Sequence, residues 1–336
     1  MSDVDRRAFL RWLAASPLAA SLAACAEPDA GGTPAGSRAQ PIPPGGLPTR
    51  PEDALDVFDL ERMAEQRVPL SHWAYLQTGV DGETTLRRNR EGFERLHVRP
   101  RRLVDVSDVD MGVELLGRAW PTPLLLAPCG SHRAFHTDGE LATARACAAK
   151  ERLFVLSSVS STGVEAVNQA RGEPVWFQLY ASGSWDVTRH VVSRAEAAGC
   201  PVLVVTVDNP GGSNRVTARR GELADPRACA SCHTEGGEAP PVKPMYQGAP
   251  STPGDAGRDT LSWDFVARLR DATAMKVVLK GIMTGEDAAL ALRYGVDGTW
   301  WCPRPPSSRW CAKRTRTIPG CCRSDGREGV ALTRGS

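Results

Sequence analysis

Six polar side chains stand at or beside the ends of apolar runs. Ser157 follows Leu153-Phe154-Val155-Leu156, Gln178 and Tyr180 end the run 175–180, Thr206 and Asp208 end 201–208, and Lys280 ends 276–281. Hydroxyls, an amide and a phenol offer hydrogen bonds in both directions. The lysine offers a fixed positive charge, and a lysine that ends an apolar strand is expensive to bury unless something meets it. Taken singly, Ser157 and Thr206 could be no more than strand-end caps. Taken as a set, these residues describe one row of ligand-binding groups. A second pattern, Cys229-Ala230-Ser231-Cys232-His233, has the CxxCH spacing of a covalent haem attachment site. A local disulfide between Cys229 and Cys232, or a metal-binding loop, is the simpler reading of so short a motif, and haem c is the less favoured one.

The elements that must carry the row are legible. The runs 123–128, Leu153–Ser157, 175–180, 201–208 and 276–281 are short, apolar and bounded by turn residues. Helical text separates most of them, over 139–150, 163–170, 186–199 and 262–272. An N-terminal helix is expected over 53–67 from the spacing of Leu55, Phe58, Leu60 and Met63. Continuous apolar strands alternating with helices imply a parallel sheet covered on both faces. A dinucleotide-binding sheet would carry a glycine-rich turn after its first strand, and none follows 123–128. Polar residues gathered at the C-terminal ends of several strands fit the active face of a TIM (β/α)8 barrel instead. The expected fold class is therefore α/β, of that barrel type. The stretch 123–298 falls short of the roughly 200–250 residues of a closed eight-stranded barrel, which implies truncation after about strand five or six.

Forty-one Lys+Arg balance 39 Asp+Glu in the 336 residues, a formal net charge of +2, with 41% hydrophobic and 24% charged residues. That is too apolar for a disordered chain and too neutral for a nucleic-acid binder, which needs a basic face. The N-terminus departs from this average. Arg6-Arg7 precedes a short apolar stretch that closes on Leu22-Ala23-Ala24-Cys25. Residues 1–25 are therefore read as a twin-arginine export signal ending in a lipobox, with Cys25 as the lipidated residue. Residues 26–51, rich in Pro and Gly, would be a tether that leaves the domain in the periplasm, anchored to the membrane by lipid. Twin-arginine export carries folded proteins, which conflicts with haem attachment to an unfolded chain.

Several longer strings share one order and spacing. They are Tyr75-Leu76-Gln77-Thr78-Gly79 with Thr85-Leu86-Arg87-Arg88-Asn89, Leu126-Ala127-Pro128, and Asp138-Gly139-Glu140-Leu141-Ala142-Thr143-Ala144-Arg145. Leu156-Ser157-Ser158, Phe177-Gln178-Leu179-Tyr180, Thr206-Val207-Asp208, Leu261-Ser262-Trp263 and Lys280-Gly281 continue the series. Over 53–298 the chain thereby resembles the FMN-dependent α-hydroxy-acid oxidases and dehydrogenases, such as glycolate oxidase, lactate oxidase and mandelate dehydrogenase. The resemblance implies an FMN cofactor and oxidation of a small L-2-hydroxy acid to the 2-oxo acid. Electrons would pass to oxygen or a membrane acceptor, and relatives are often homo-oligomers.

The resemblance also implies roles. Tyr75 would bind the substrate carboxylate, and Tyr180 would stand beside the substrate hydroxyl. Lys280 would lie near flavin N1 and O2, where its charge favours the reduced anionic ring. Ser157, Gln178 and Thr206 would hydrogen-bond the ring edge, and Ala127 and Pro128 would pack beneath it. Asp208 would orient the catalytic histidine. Arg215 lies on a loop where the family carries a substrate-facing arginine.

Past Gly295-Val296-Asp297-Gly298 the family continues into a strand ending Ser-Asn-His-Gly-Gly-Arg, whose histidine is the base. Here the text is Thr299-Trp300-Trp301-Cys302-Pro303-Arg304-Pro305-Pro306. The six histidines are His72, His97, His132, His136, His190 and His233, so that base is missing. Residues 299–336 carry eight Lys+Arg against two Asp+Glu and four of the ten cysteines, and no strand or helix periodicity is legible in them. This tail is expected to come from a shifted reading frame, leaving a domain over 52–298 with a Gly/Pro-rich insertion loop at 221–259. A barrel without its last strands would lack the usual phosphate site, so weak flavin binding, low stability and little turnover are expected. Two other readings stand beside this one: a non-catalytic flavin- or ligand-binding lipoprotein, and a haem electron-transfer lipoprotein built on Cys229, Cys232 and His233.

Overall fold

The computed structural model describes residues 46–94, 97, 99–209, 212–225, 243–250, 261–301 and 329–332. Cys25, Cys229, Cys232 and His233 lie outside the described residues. Three helices precede the sheet. The first, α1 (Val57–Glu65), is shorter than the helix expected over 53–67. The Asp56 carboxylate accepts from the Phe58 and Asp59 N–H groups, both at 2.9 Å, and so fixes the start of the helix. Leu55, left outside that cap, is 88% exposed, whereas Met63 is buried. Helix α2 (Leu70–Gln77) carries Tyr75, and α3 (Thr84–Glu94) follows.

An antiparallel hairpin that the periodicity does not reveal comes next, β1 (Val113–Leu115) paired with β2 (Arg118–Trp120). Its turn residues Leu116 and Gly117 have φ of 51° and 82°, the mirror-image turn that suits the twist of a hairpin.

The sheet then runs through β3 (Leu125–Leu126), β4 (Leu153–Ser157), β5 (Trp176–Leu179), β6 (Val202–Thr206), β7 (Lys276–Lys280) and β8 (Gly298–Trp301). These six are parallel and lie in chain order. The crossovers carry α4 (Gly139–Ala149), α5 (Val164–Arg171), α6 (Trp185–Ala197), α7 (Val216–Ala224) with α8 (Trp263–Asp271), and α9 (Gly285–Arg293). Sequential parallel strands with a helix in each crossover are the topology of a TIM barrel, here a partial one.

Side chains on a strand alternate between faces, and that alternation sorts the core into two layers. Phe154, Leu156, Phe177, Leu179, Leu203, Val205, Val277 and Leu279 face the helices, packed on Val187, Val191 and Val192 of α6 and Leu269 of α8. Leu153, Val155, Trp176, Val202, Val204, Val278 and Trp300 form the inner layer, together with Leu115 and Trp120 of the hairpin. The hairpin thus packs on the apolar half of the inner face. Counting on by twos from Val155, Trp176, Val204 and Val278 gives Ser157, Gln178, Thr206 and Lys280. The polar row is the continuation of the inner face.

Two regions differ from expectation. Residues 299–336 hold most of one strand and all of another. Thr299 and Trp300 are buried in β8, and the Trp300 carbonyl accepts from the Gly281 N–H at 3.1 Å. Further on, β9 (Gly329–Leu332) pairs antiparallel with β8, Gly298 opposite Leu332. A parallel edge presents unpaired N–H and C=O groups, and this short run occupies them. The 221–259 region is not all loop either. Helix α7 extends into it as far as Ala224, and Met245 and Tyr246, in a 3-10 turn, are buried in the outer layer. Among the described residues no helix is long and apolar enough to cross a membrane.

Candidate active site

Three strand tips are joined by side-chain hydrogen bonds. The Ser157 hydroxyl of β4 donates to Gln178 Oε1 of β5 at 2.9 Å, and Gln178 Nε2 donates to Thr206 Oγ1 of β6 at 3.0 Å. All three residues are buried. The order follows from register: Ser157 is opposite Gln178, and Thr206 is opposite Lys280 at the tip of β7. Two donors remain, since no acceptor for the second Gln178 amide hydrogen or for the Thr206 hydroxyl hydrogen is found among the described residues. Buried donors without acceptors are costly, so a ligand edge rich in carbonyl and ring-nitrogen acceptors suits this row. Lys280, half-buried at its end, adds the positive charge.

Tyr180, one residue past β5, is half-buried. Burial pushes its phenol pKa up, against the charges of Lys280 and Arg215 and with help from Tyr75 and Asp208. Those five side chains therefore occupy one neighbourhood. The phenol stays protonated at neutral pH and is a hydrogen-bond donor there. Asp208 is exposed just beyond β6, against Gly281 just beyond β7.

Tyr75 and Arg215 reach the site from two helices held together. Arg215, the residue before α7, has its guanidinium 5.3 Å from the centroid of the Tyr75 ring on α2. Gly221 of α7 lies so close to Ala74 that a β-carbon there would collide with the Ala74 methyl. Thr217 donates to Glu83 at 2.6 Å, and Asn214 donates to Asp81 at 2.9 Å. Tyr75 is 48% exposed, which leaves its ring and hydroxyl available to a ligand. Ala127 is exposed and Pro128 half-buried, immediately after β3.

The structure thus gathers Tyr75, Tyr180, Asp208, Arg215 and Lys280 beside the Ser157–Gln178–Thr206 row. A further group was present in the quoted strings without a role. Glu140, in the first turn of α4, is fully buried. It accepts from the His132 N–H at 3.0 Å and from the Ser161 N–H at 2.8 Å. The sequence signal was weak, because an acid in a helix's first turn is an ordinary surface feature.

The sequence profile of the FMN-dependent dehydrogenase family matches residues 64–301. The chain is 33% identical over 248 residues to a peroxisomal (S)-2-hydroxyacid oxidase of Arabidopsis thaliana, covering 74% of this chain and 68% of that protein. It is 35% identical over 254 residues to an L-lactate oxidase of Lysinibacillus sphaericus, covering 71% of this chain and 64% of the other. A mandelate oxidase crystal structure superposes with a TM-score of 0.62 at 31% identity, over 73% of this chain and 67% of that one. The chain spans about two thirds of the length of these relatives. A profile match over most of the chain, on a partial barrel whose strand tips converge as described, places it: this chain belongs to the FMN-dependent dehydrogenase family.

Proposed function

We propose that this chain binds FMN at the Ser157–Gln178–Thr206–Lys280 row and holds a small 2-hydroxy acid beside it, so that oxidation to the 2-oxo acid is its ancestral chemistry. The observation that carries the reading is the buried hydrogen-bonded row, with donors to spare and a lysine at its end. FMN, when bound, supplies the two-electron acceptor. Ser157, Gln178 and Thr206 hold the ring edge, Ala127 and Pro128 form a bed for it, and Lys280 offsets negative charge that develops on the ring. Tyr75 and Arg215 take the substrate carboxylate, and the protonated Tyr180 phenol donates to the substrate hydroxyl. Asp208 is placed to orient a base. Where the family strand would end in its histidine, residues 299–306 read Thr-Trp-Trp-Cys-Pro-Arg-Pro-Pro, so no base of that kind stands on that segment and slow turnover is the expected outcome.

The test is to titrate purified protein with FMN by fluorescence quenching, then add lactate, glycolate or mandelate without oxygen. Quenching by the wild type, weakened about tenfold or more in Lys280→Met and Gln178→Leu, supports the reading, since charge-assisted and buried hydrogen bonds are the strong ones. A chain that quenches no FMN overturns it. The missing histidine favours a second reading, a flavin-binding protein without turnover, for which the flavin would bind and never bleach with any of the three acids. We also propose, from the order Arg6-Arg7, apolar core, Cys25, that the chain is exported and lipid-anchored; palmitate labelling that survives Cys25→Ala would remove that reading.

A further inference from the structure

The loops that follow β3 and β4 are fastened to each other through one buried carboxylate. Glu140 Oε1 accepts from the His132 and Ser161 N–H groups, and Oε2 accepts from the Ser161 hydroxyl at 2.7 Å and the Thr162 hydroxyl at 2.9 Å. His132 belongs to the β3 loop, whereas Ser161 and Thr162 belong to the β4 loop. Two more bonds join the same loops: the Ser131 N–H donates to the Val159 carbonyl at 3.2 Å, and the Arg133 N–H donates to the Ser161 hydroxyl at 3.1 Å. Between them Ser131 adopts φ 57° and ψ 48°, a left-handed conformation that a non-glycine residue keeps only when its surroundings hold it there. A buried carboxylate with four donors is fully compensated, and one of those donors, the His132 N–H, belongs to the residue that follows that turn. Burial alone would push the Glu140 carboxyl up, yet the Ser161 and His132 donors leave it below its usual range, so it is ionised at neutral pH.

We propose that Glu140 is a positioning residue of the flavin site: its carboxylate clamps the β3 and β4 loops into one rigid lip, which fixes Ala127 and Pro128 under the ring and Ser157 at its edge. The proposal rests on the flavin reading above. Glutamine in this position keeps the clamp, because its amide oxygen faces the two backbone donors and its NH2 donates to two hydroxyls that can turn to accept. Alanine removes it.

The experiment compares wild type, Glu140→Gln, Glu140→Ala and Thr162→Val by FMN fluorescence quenching and by amide hydrogen exchange. Glu140→Ala should weaken FMN binding about tenfold or more, with Glu140→Gln within about threefold of wild type. Amides of 129–135 and 158–163 should lose protection in Glu140→Ala, while β5, β6 and β7 keep theirs. If Glu140→Ala does not fold, Thr162→Val, which removes a single donor, should show a few-fold version of the same pattern. Unchanged FMN affinity in the variant that reports, protection lost evenly across the sheet, or Glu140→Gln as weak as Glu140→Ala would each overturn the proposal. Failure of the wild type itself to bind FMN is a separate result, which overturns the flavin reading and this one with it.

Discussion

At Gly281 the backbone takes φ +109°, and a β-carbon there would stand 2.5 Å from Asp208 Cβ. Both the left-handed geometry and the approach of the β6 and β7 tips depend on the missing side chain. Gly281→Ala should destabilise the fold by about 1–3 kcal/mol, read as a lower urea midpoint, and should also weaken FMN binding by displacing Lys280. Two other residues shape the acid side of the stability curve, alongside Asp53, Asp59, Glu83, Asp105 and Glu165, whose carboxyls hydrogen bonds also hold below their usual range. Glu140 titrates below its usual 4.5 in the folded state, so its stabilisation is complete above that value and is lost as pH falls through the folded pKa. Burial holds His132 below its usual 6.5, so the unfolded chain takes the proton first and stability begins to fall as pH drops through that value. Urea midpoints should therefore decline in two stages below neutrality. Glu140→Gln should shrink the lower stage, which the other carboxyls share, and leave the upper one; a curve unchanged by that substitution would contradict the assignment.

Among the elements, the pair α2 and α7 decides whether the substrate end of the site exists. They meet tightly at Ala74 against Gly221, and the two groups proposed for the carboxylate, Tyr75 and Arg215, are the neighbour of Ala74 and the residue just before α7. Gly221→Ala overpacks this contact, at a cost of about 1–3 kcal/mol. The expected signature is selective: weaker binding of a 2-oxo acid to the flavin-loaded protein, with FMN affinity changed far less. Equal losses of both would mean that the helix pair supports the whole fold rather than the carboxylate end. The polar row at the C-terminal ends of the strands was legible in the sequence. This contact was not, because nothing local to residues 74 or 221 announces the other.

For the molecule as a whole, the six parallel strands among the described residues leave a sheet with two edges, where a closed barrel has none. Trp300 fills the inner layer and is 1% exposed, although it lies in a stretch whose composition matches neither strand nor helix. Trp300→Ala should cost about 3–5 kcal/mol in urea unfolding if the layer is packed as described, and almost nothing if it is not. The other edge is less protected. Strand β3 is two residues long, with Leu124 64% and Leu126 39% exposed, and Leu103, Val106 and Met111 upstream are exposed as well. Exposed apolar edges recruit other chains. Concentration-dependent association is expected in light scattering, and a strictly monomeric chain at every concentration would contradict it.

The sequence by itself determined the order of the five apolar strands between 123 and 281, most of the helices between them, the polar residues at the strand ends, and the family strings. These are local properties: a short apolar run bounded by turn residues marks a buried strand, and its last polar residue marks the tip, wherever the strand ends up. Only the tertiary structure decided that the β1–β2 hairpin packs on the apolar inner layer, that Glu140 ties two loops together, that Gly221 admits Ala74, and that residues 329–332 return to cover an edge. Each of those depends on groups far apart in the chain meeting at contact distance, and no short-range pattern encodes such a meeting.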